Sequence, residues 1–153
     1  MKTLPACAMV LATALLALMT GCRAAPPVEP ETHWGAAQNG LQAGIQPSTD
    51  ETVPGEAVEF TFYLRNGSGN PTTVVRPDAG TLVWHFDGHT IQGRPGRPDQ
   101  TVVLEPNDSA EYVVRHAWVT PGTYTVYAEL KANAEGAAVP NLHSGQTTVT
   151  VTE

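Results

Sequence analysis

The chain has 153 residues, with 8 lysines and arginines against 15 aspartates and glutamates, and its formal net charge is −7 at pH 7. This acidic balance excludes proteins that hold nucleic acids or anionic lipid surfaces by charge, because both classes need a basic patch or stripe. The length suits one domain, which at ~100–150 residues can bury roughly two-thirds of its surface without disulfides.

The first 22 residues predict export. Lys2 supplies a positive charge, and the stretch from Leu4 to Leu18 is apolar except for Thr13. About 15 apolar residues are typical of the central region of a signal peptide, whereas a membrane-spanning helix needs ~20. No apolar run long enough to span a bilayer follows Cys22, so insertion of a later segment is not expected to hold the chain in a membrane.

The export segment ends in Met19-Thr20-Gly21-Cys22, which resembles a bacterial lipobox. The resemblance implies that a diacylglycerol is joined to the Cys22 thiol and that residues 1–21 are then removed. Cys7 leaves with them, so one cysteine remains, whereas exported proteins normally pair theirs. Arg23 stands where inner-membrane lipoproteins often have aspartate, which favours an outer-membrane anchor facing the periplasm. The alternative is an ordinary secretory signal cut nearby, leaving Cys22 as a free thiol.

The rest of the chain reads as a tether followed by one β-rich domain. Residues 22–37 are proline-rich without apolar periodicity, which predicts a stiff, extended tether. From residue 38 on, apolar and polar residues alternate with the period of half-buried strands, and no helical period occurs. The predicted strands cover residues 41–45, 58–65, 72–76, 82–86, 101–104, 112–119, 124–130 and 147–151. Strands at this spacing predict an all-β, Ig-like antiparallel sandwich of about 7–8 strands over residues 38–153.

The strand over 112–119 and the turn after the strand over 82–86 allow more specific predictions. The strand over 112–119 is apolar on nearly both faces, which predicts a central position in its sheet. Asp87-Gly88 is the strongest short hairpin signal in the chain and should place Phe86 opposite His89 and His85 opposite Thr90.

Residue types that carry chemistry are present without a convincing arrangement. His85, Asp87 and His89 are potential metal ligands close in sequence. The predicted hairpin puts His85 and His89 on opposite faces, so the sequence predicts no metal site and no cofactor. The serines do not lie in a G-x-S-x-G elbow, so no catalytic residue is predicted and the protein is not expected to be an enzyme. These serines fall in predicted loops or turns: Ser48, Ser68, Ser109 and Ser144.

Four side chains are candidates for binding a partner. Tyr63 and Tyr127 alternate outward from their strands, and exposed aromatic residues are enriched at interfaces. Arg94 and Arg97 lie in the one basic loop of an acidic domain and could receive an acidic partner. The inward-facing aromatic residues are expected to be core residues: Trp84, Tyr112, Trp118 and Tyr124.

Residues 56–130 resemble the BsuPI-type proteinase inhibitor domain, an Ig-like β-sandwich. The matching segments are Glu59-Phe60-Thr61-Phe62-Tyr63-Leu64-Arg65-Asn66, Leu82-Val83-Trp84, Thr101-Val102-Val103-Leu104-Glu105-Pro106, and Pro121-Gly122-Thr123-Tyr124-Thr125-Val126 with Trp118 before it. The resemblance implies the sandwich fold and proteinase inhibition through a loop such as 92–99 or 132–145.

Together these features favour a non-enzymatic cell-envelope lipoprotein whose Ig-like domain binds a protein or polymer and is held at the membrane through Cys22. An envelope proteinase inhibitor is the first alternative, and a metal-binding lipoprotein is the second.

Overall fold

The computed structural model describes residues 30–94, 101–131 and 141–153, and all regular elements in these ranges are strands. None of the described residues forms a helix of the length and apolarity that crossing a bilayer requires. The strands are β1 His33–Trp34, β2 Leu41–Pro47, β3 Glu51–Thr52, β4 Ala57–Asn66, β5 Thr72–Val75, β6 Leu82–Phe86, β7 His89–Gln92, β8 Thr101–Leu104, β9 Ser109–Ala117, β10 Gly122–Leu130, β11 Leu142–His143 and β12 Thr147–Val151.

These strands form two facing sheets and a small ribbon. The first sheet has the order β1-β2-β4-β9, the second has the order β3-β12-β10-β6-β7 with β11 also pairing with β10, and β5 pairs with β8. The predicted all-β sandwich is confirmed. The strands beyond those predicted are β7, which is the return strand of the hairpin, and the two-residue strands β1, β3 and β11.

The alternation seen in the sequence places the core between the two sheets. Val58, Phe60, Phe62 and Leu64 on β4 are fully buried and face apolar residues of β6 and β10. Phe60 lies at the centre, since its ring is 5.7 to 6.4 Å from three other aromatic rings. Burial of this apolar face makes the main contribution to the stability of the domain.

The hairpin prediction is confirmed residue by residue. Phe86 pairs with His89 and His85 with Thr90. Asp87 and Gly88 have φ angles of 46° and 85°, and two consecutive residues with positive φ are typical of the type I′ turn that matches strand twist.

The prediction that the strand over 112–119 is central is wrong. This strand is β9, and it forms one edge of the first sheet. Its outward residues are exposed, among them Val113 at 45 %. The apolar character of the outer face came from valine and alanine, which an edge strand tolerates at the surface. The strand also ends at Ala117, and Trp118 beyond it turns into the core with 7 % exposure.

Part of the segment interpreted as the tether pairs with the sandwich. His33 and Trp34 lie opposite Ile45 and Gly44 of β2. A Cβ atom at Gly44 would lie 2.7 Å from Cε3 of Trp34, so the glycine lets the indole lie directly on the sheet. The described sandwich therefore includes residues from 33 onward.

Candidate binding site

One end of the sandwich opens into a cavity beside the β6–β7 hairpin. The cavity has a volume of about 270 Å³ and lies where the end of β9 and the start of β10 approach the hairpin. Its principal lining residues are Phe86, His89, His116, Trp118, Thr120 and Tyr124. A concave, mostly apolar surface with a few polar groups at its opening is typical of a ligand site.

A continuous set of aromatic rings builds the wall of this cavity. The imidazole of His116 stacks on Phe86 at 4.1 Å between centroids and 16° between planes. The same imidazole meets Trp118 edge to face at 4.7 Å, and Trp118 stacks on Tyr124 at 5.0 Å. Offset and edge-to-face aromatic pairs each contribute about 0.5–1.5 kcal/mol beyond area burial, so the wall is held in a defined shape.

Tyr124 is fixed at both ends of its side chain. Its ring packs on Trp118, and its hydroxyl donates a hydrogen bond of 2.7 Å to the backbone carbonyl of Thr120. A tyrosine near a strand start that bonds back to the chain a few residues upstream is typical of Ig-like domains. The contact ties the start of β10 to the turn after β9, and both residues line the cavity.

The polar groups at the opening are ionisable. His116 is half-buried, and its pKa is lowered first by burial and then by the nearby charge of His89. His89 and Asp87 are exposed at the opening. At neutral pH the neutral imidazole of His116 can offer one hydrogen-bond donor or acceptor to a bound group.

An apolar rim borders the opening. Val119 is 84 % exposed, the most exposed large apolar side chain described, and it follows Trp118 directly. Val53 is 46 % exposed. It lies two residues before Gly55, whose N–H donates a 2.7 Å hydrogen bond to the Trp118 carbonyl. Exposed apolar residues around a concave site provide contact area for a macromolecular partner.

The two tyrosines predicted to be exposed are both half-buried. Tyr63 lies 6.2 Å from the ring of Trp34, and its hydroxyl donates a 2.9 Å hydrogen bond to Oε1 of Gln46. Arg65 covers the other part of Trp34, with Cζ 4.4 Å from the ring centroid. The β1 segment therefore covers Tyr63, and this face of the sheet offers less free aromatic surface than the sequence predicts.

Tyr127 stacks on His85 across the β6–β10 pair, with 4.3 Å between centroids. Nε2 of His85 lies 3.8 Å from Glu129, which is too far for a hydrogen bond, and the nitrogen is buried without a partner. His143 lies 4.0 Å from the other oxygen of Glu129. The fold thus gathers histidines distant in sequence around one carboxylate, yet no three His, Cys, Asp or Glu side chains within residues 30–94, 101–131 and 141–153 are arranged to hold a metal ion.

Among the remaining candidates from the sequence, the described residue Arg94 does not line the cavity. Arg94 is exposed after the end of β7. Arg97, Cys22 and most of the loops 92–99 and 132–145 lie outside the described residues.

Comparison with solved structures supports the architecture. The chain is similar to the CARDB domain of the PF1109 protein from Pyrococcus furiosus, solved in complex with di-metal ions, with a TM-score of 0.50. The match covers 78 % of this chain and 94 % of that chain at 16 % sequence identity. The chain has an Ig-like fold. At this identity the likeness establishes the fold alone, and no protein-family model and no curated protein matches the chain.

The cavity was not predicted from the sequence, because the inward-facing aromatic residues were expected to belong to the core. Trp84 and Trp118 are buried as expected, whereas Tyr112 and Tyr124 are half-buried. The sequence held one signal for the cavity, namely the position of its residues on either side of a turn. His116, Trp118 and Tyr124 flank one turn, and residues at the end of a sandwich have covering neighbours on fewer sides.

Proposed function

We propose that this protein is a lipid-anchored cell-envelope protein whose Ig-like domain binds another protein or a polymer without catalysing a reaction. The observation that carries the proposal is the aromatic cavity between the β6–β7 hairpin and the β9–β10 turn, bordered by Val119. Trp, Tyr and Arg anchors in desolvated pockets supply most of the binding energy at protein interfaces.

The size of the cavity favours one anchoring group of a larger partner. Its volume of about 270 Å³ lies below the roughly 300–1,000 Å³ of sites that enclose whole small molecules. One apolar or aromatic side chain, or one ring of a polymer, would enter, and the rest of the partner would cover Val119 and Val53. His116 and Asp87 would bond a polar group on the entering unit.

The anchor rests on the lipobox-like segment that ends at Cys22. Stable membrane attachment requires more than one acyl chain, which the lipidated cysteine of a bacterial lipoprotein provides. Metabolic labelling with a lipid probe should mark the wild-type chain and leave Cys22→Ser unlabelled. Equal labelling of both chains would contradict the anchor.

Site-specific photocrosslinking in the producing cells tests the binding surface. A photoreactive residue at Val119 should form an adduct with one envelope component. The same residue at Val103, which is 56 % exposed on β8 and does not line the cavity, should form none. Equal adducts at both positions, or none at Val119, would refute binding at this end of the domain.

The inhibitor alternative rests on the resemblance of residues 56–130 to the BsuPI-type domain. It predicts that the purified protein inhibits at least one member of a panel of serine proteases. The binding-module proposal predicts that every protease in the panel keeps full activity, so the panel separates the two.

Metal binding is favoured by one observation, the position of His85 and His143 on either side of the Glu129 carboxylate. The imidazoles would have to move closer to act together as ligands, since Zn²⁺–nitrogen and Zn²⁺–oxygen bonds are about 2.0–2.2 Å. Calorimetric titration with Zn²⁺ should then show near-stoichiometric binding that His85→Ala abolishes. A flat trace with the wild-type chain would remove this candidate.

A further inference from the structure

Strand β9 has the longest free edge in the described part of the chain. It is the outer strand of the first sheet, whereas the edge strands β1 and β3 have two residues each and β7 has four. The neighbouring strand β8 pairs with β5 instead, and a groove of about 390 Å³ opens between β8 and the first residues of β9. A nine-residue edge strand presents unpaired backbone groups at every second residue and forms a ready template for another strand.

The alternation of hydrogen bonds along β4 and β9 shows which residues of β9 direct their backbone groups to the free edge. Asn66 N–H donates to the Asp108 carbonyl at 2.9 Å, so the even-numbered residues of β4 and β9 bond to each other. On its other side β4 bonds through odd-numbered residues, as in the 2.7 Å bond from Ser48 N–H to the Glu59 carbonyl. Because antiparallel strands alternate in this way, Glu111, Val113 and Arg115 direct their backbone N–H and C=O groups to the free edge.

The side chains of these three residues are self-complementary. Glu111 and Arg115 lie on the exposed face at equal distances from Val113, which is 45 % exposed. A two-fold rotation through Val113 exchanges the acidic and the basic position. Arg115 bonds to Glu59 through Nε and Nη2, yet its side chain remains 76 % exposed.

We propose that two copies of this protein pair through β9 in an antiparallel arrangement centred on Val113. Val113 would lie opposite the partner's Val113, and Glu111 opposite the partner's Arg115 on both sides of the axis. Three such pairs would form about six backbone hydrogen bonds, because each bonded pair exchanges two. On the inner face the half-buried Tyr112 would cover the partner's Val114, and the two four-stranded sheets would join.

A second copy fits this edge better than an unrelated peptide. The strand Ser109–Ala117 has no proline or lysine to block pairing, although natural edge strands commonly carry such protection. The opposite charges at equal distances from Val113 match only a strand with the reverse order, which the same strand supplies when it is rotated. Dimers with two-fold symmetry require this kind of self-complementary patch.

Cysteine crosslinking of the full-length chain in the producing cells tests the pairing. Opposed residues in a bonded antiparallel pair have Cα atoms about 5.5 Å apart, within the span of a disulfide. Mild oxidation should therefore convert most of the Val113→Cys chain to a covalent dimer, above the background that the wild-type chain gives. Glu111→Cys is the matched control, since four residues at ~3.4 Å separate it from its copy by about 14 Å. Dimer yield no higher with Val113→Cys than with Glu111→Cys or Val103→Cys would overturn the proposal.

A charge exchange tests the register independently. In the Val113→Cys background, Glu111→Arg places like charges opposite each other at two sites and should lower the dimer yield about tenfold. Adding Arg115→Glu restores opposite charges and should restore the yield. An unchanged yield with Glu111→Arg, or no recovery in the double variant, would contradict this pairing.

Discussion

Truncation of Phe60 should destabilise the domain more than any comparable surface change. The side chain is fully buried, and its ring lies 6.4 Å from Trp84, 5.7 Å from Phe86 and 6.1 Å from Trp118. Phe→Ala in a core costs ~3–5 kcal/mol, depending on how far the surroundings collapse. Trp84 and Phe86 lie on β6 and Trp118 lies just beyond β9, so Phe60 is held between the two sheets. The three rings are themselves packed, so little collapse is expected and the loss should be about 4 kcal/mol.

The measurement is urea unfolding of the chain from Arg23 onward, followed by far-UV circular dichroism and tryptophan fluorescence. Phe60→Ala should lower the midpoint without changing the m-value and reduce the melting temperature by about 15 °C. Phe60→Leu should lose about 1–2 kcal/mol, and Val103→Ala, a truncation of an exposed valine, about 0.5 kcal/mol or less. A loss below about 1.5 kcal/mol for Phe60→Ala would refute the packing of both sheets on this ring.

Three further changes test other parts of the structure. Asn66 is fully buried and donates to the carbonyls of Leu104 and Asn70 at 2.9 and 2.8 Å, so Asn66→Ala should cost ~2–3 kcal/mol in urea unfolding by leaving a buried carbonyl unpaired; a loss under about 0.5 kcal/mol would contradict this. Gly44→Val should displace Trp34 and speed hydrogen exchange of the β1–β2 amides, and unchanged protection would show that the indole does not lie on the glycine. Because the pKa of His116 is lowered in the folded chain, the unfolded chain binds a proton at this histidine more readily. Its effect on the free energy of unfolding is therefore most favourable above about pH 6.5, and that stability is lost as the pH falls through 6.5 toward the folded-state pKa. In His116→Phe the urea midpoint should change less between pH 7.5 and 5.5 than it does in the wild-type chain. An equal pH dependence in both chains would contradict this assignment.

The elements that were predictable from the sequence are those whose pattern is local. The alternation in 58–65 determines which face of β4 is buried, and Asp87-Gly88 determines the turn type and register of the hairpin. The position of β9 at an edge depends on which strands pair, which the period-2 pattern does not encode. β1, β3 and β11 have two residues each, too few to show a period.

The candidate site was less predictable because its residues meet only through the fold. Phe86 and His116 belong to facing sheets and are 30 positions apart in the sequence, yet their rings stack at 4.1 Å. His143 and His85 are far apart in the sequence, but β11 and β6 lie on opposite sides of β10 and bring both to Glu129. Tyr63 was expected to be exposed because the pairing of Trp34 with β2 was not foreseen.

The most direct test of the proposed function is the yield of the photocrosslinked adduct at Val119 when the cavity is filled. His89 lines the cavity, whereas the adjacent Thr90 lies on the opposite face of the same hairpin, paired with His85. His89→Trp should reduce the adduct to background, and Thr90→Trp should leave it at the wild-type level. An adduct that persists in His89→Trp, or is lost equally in both variants, would contradict the assignment of partner binding to the aromatic cavity.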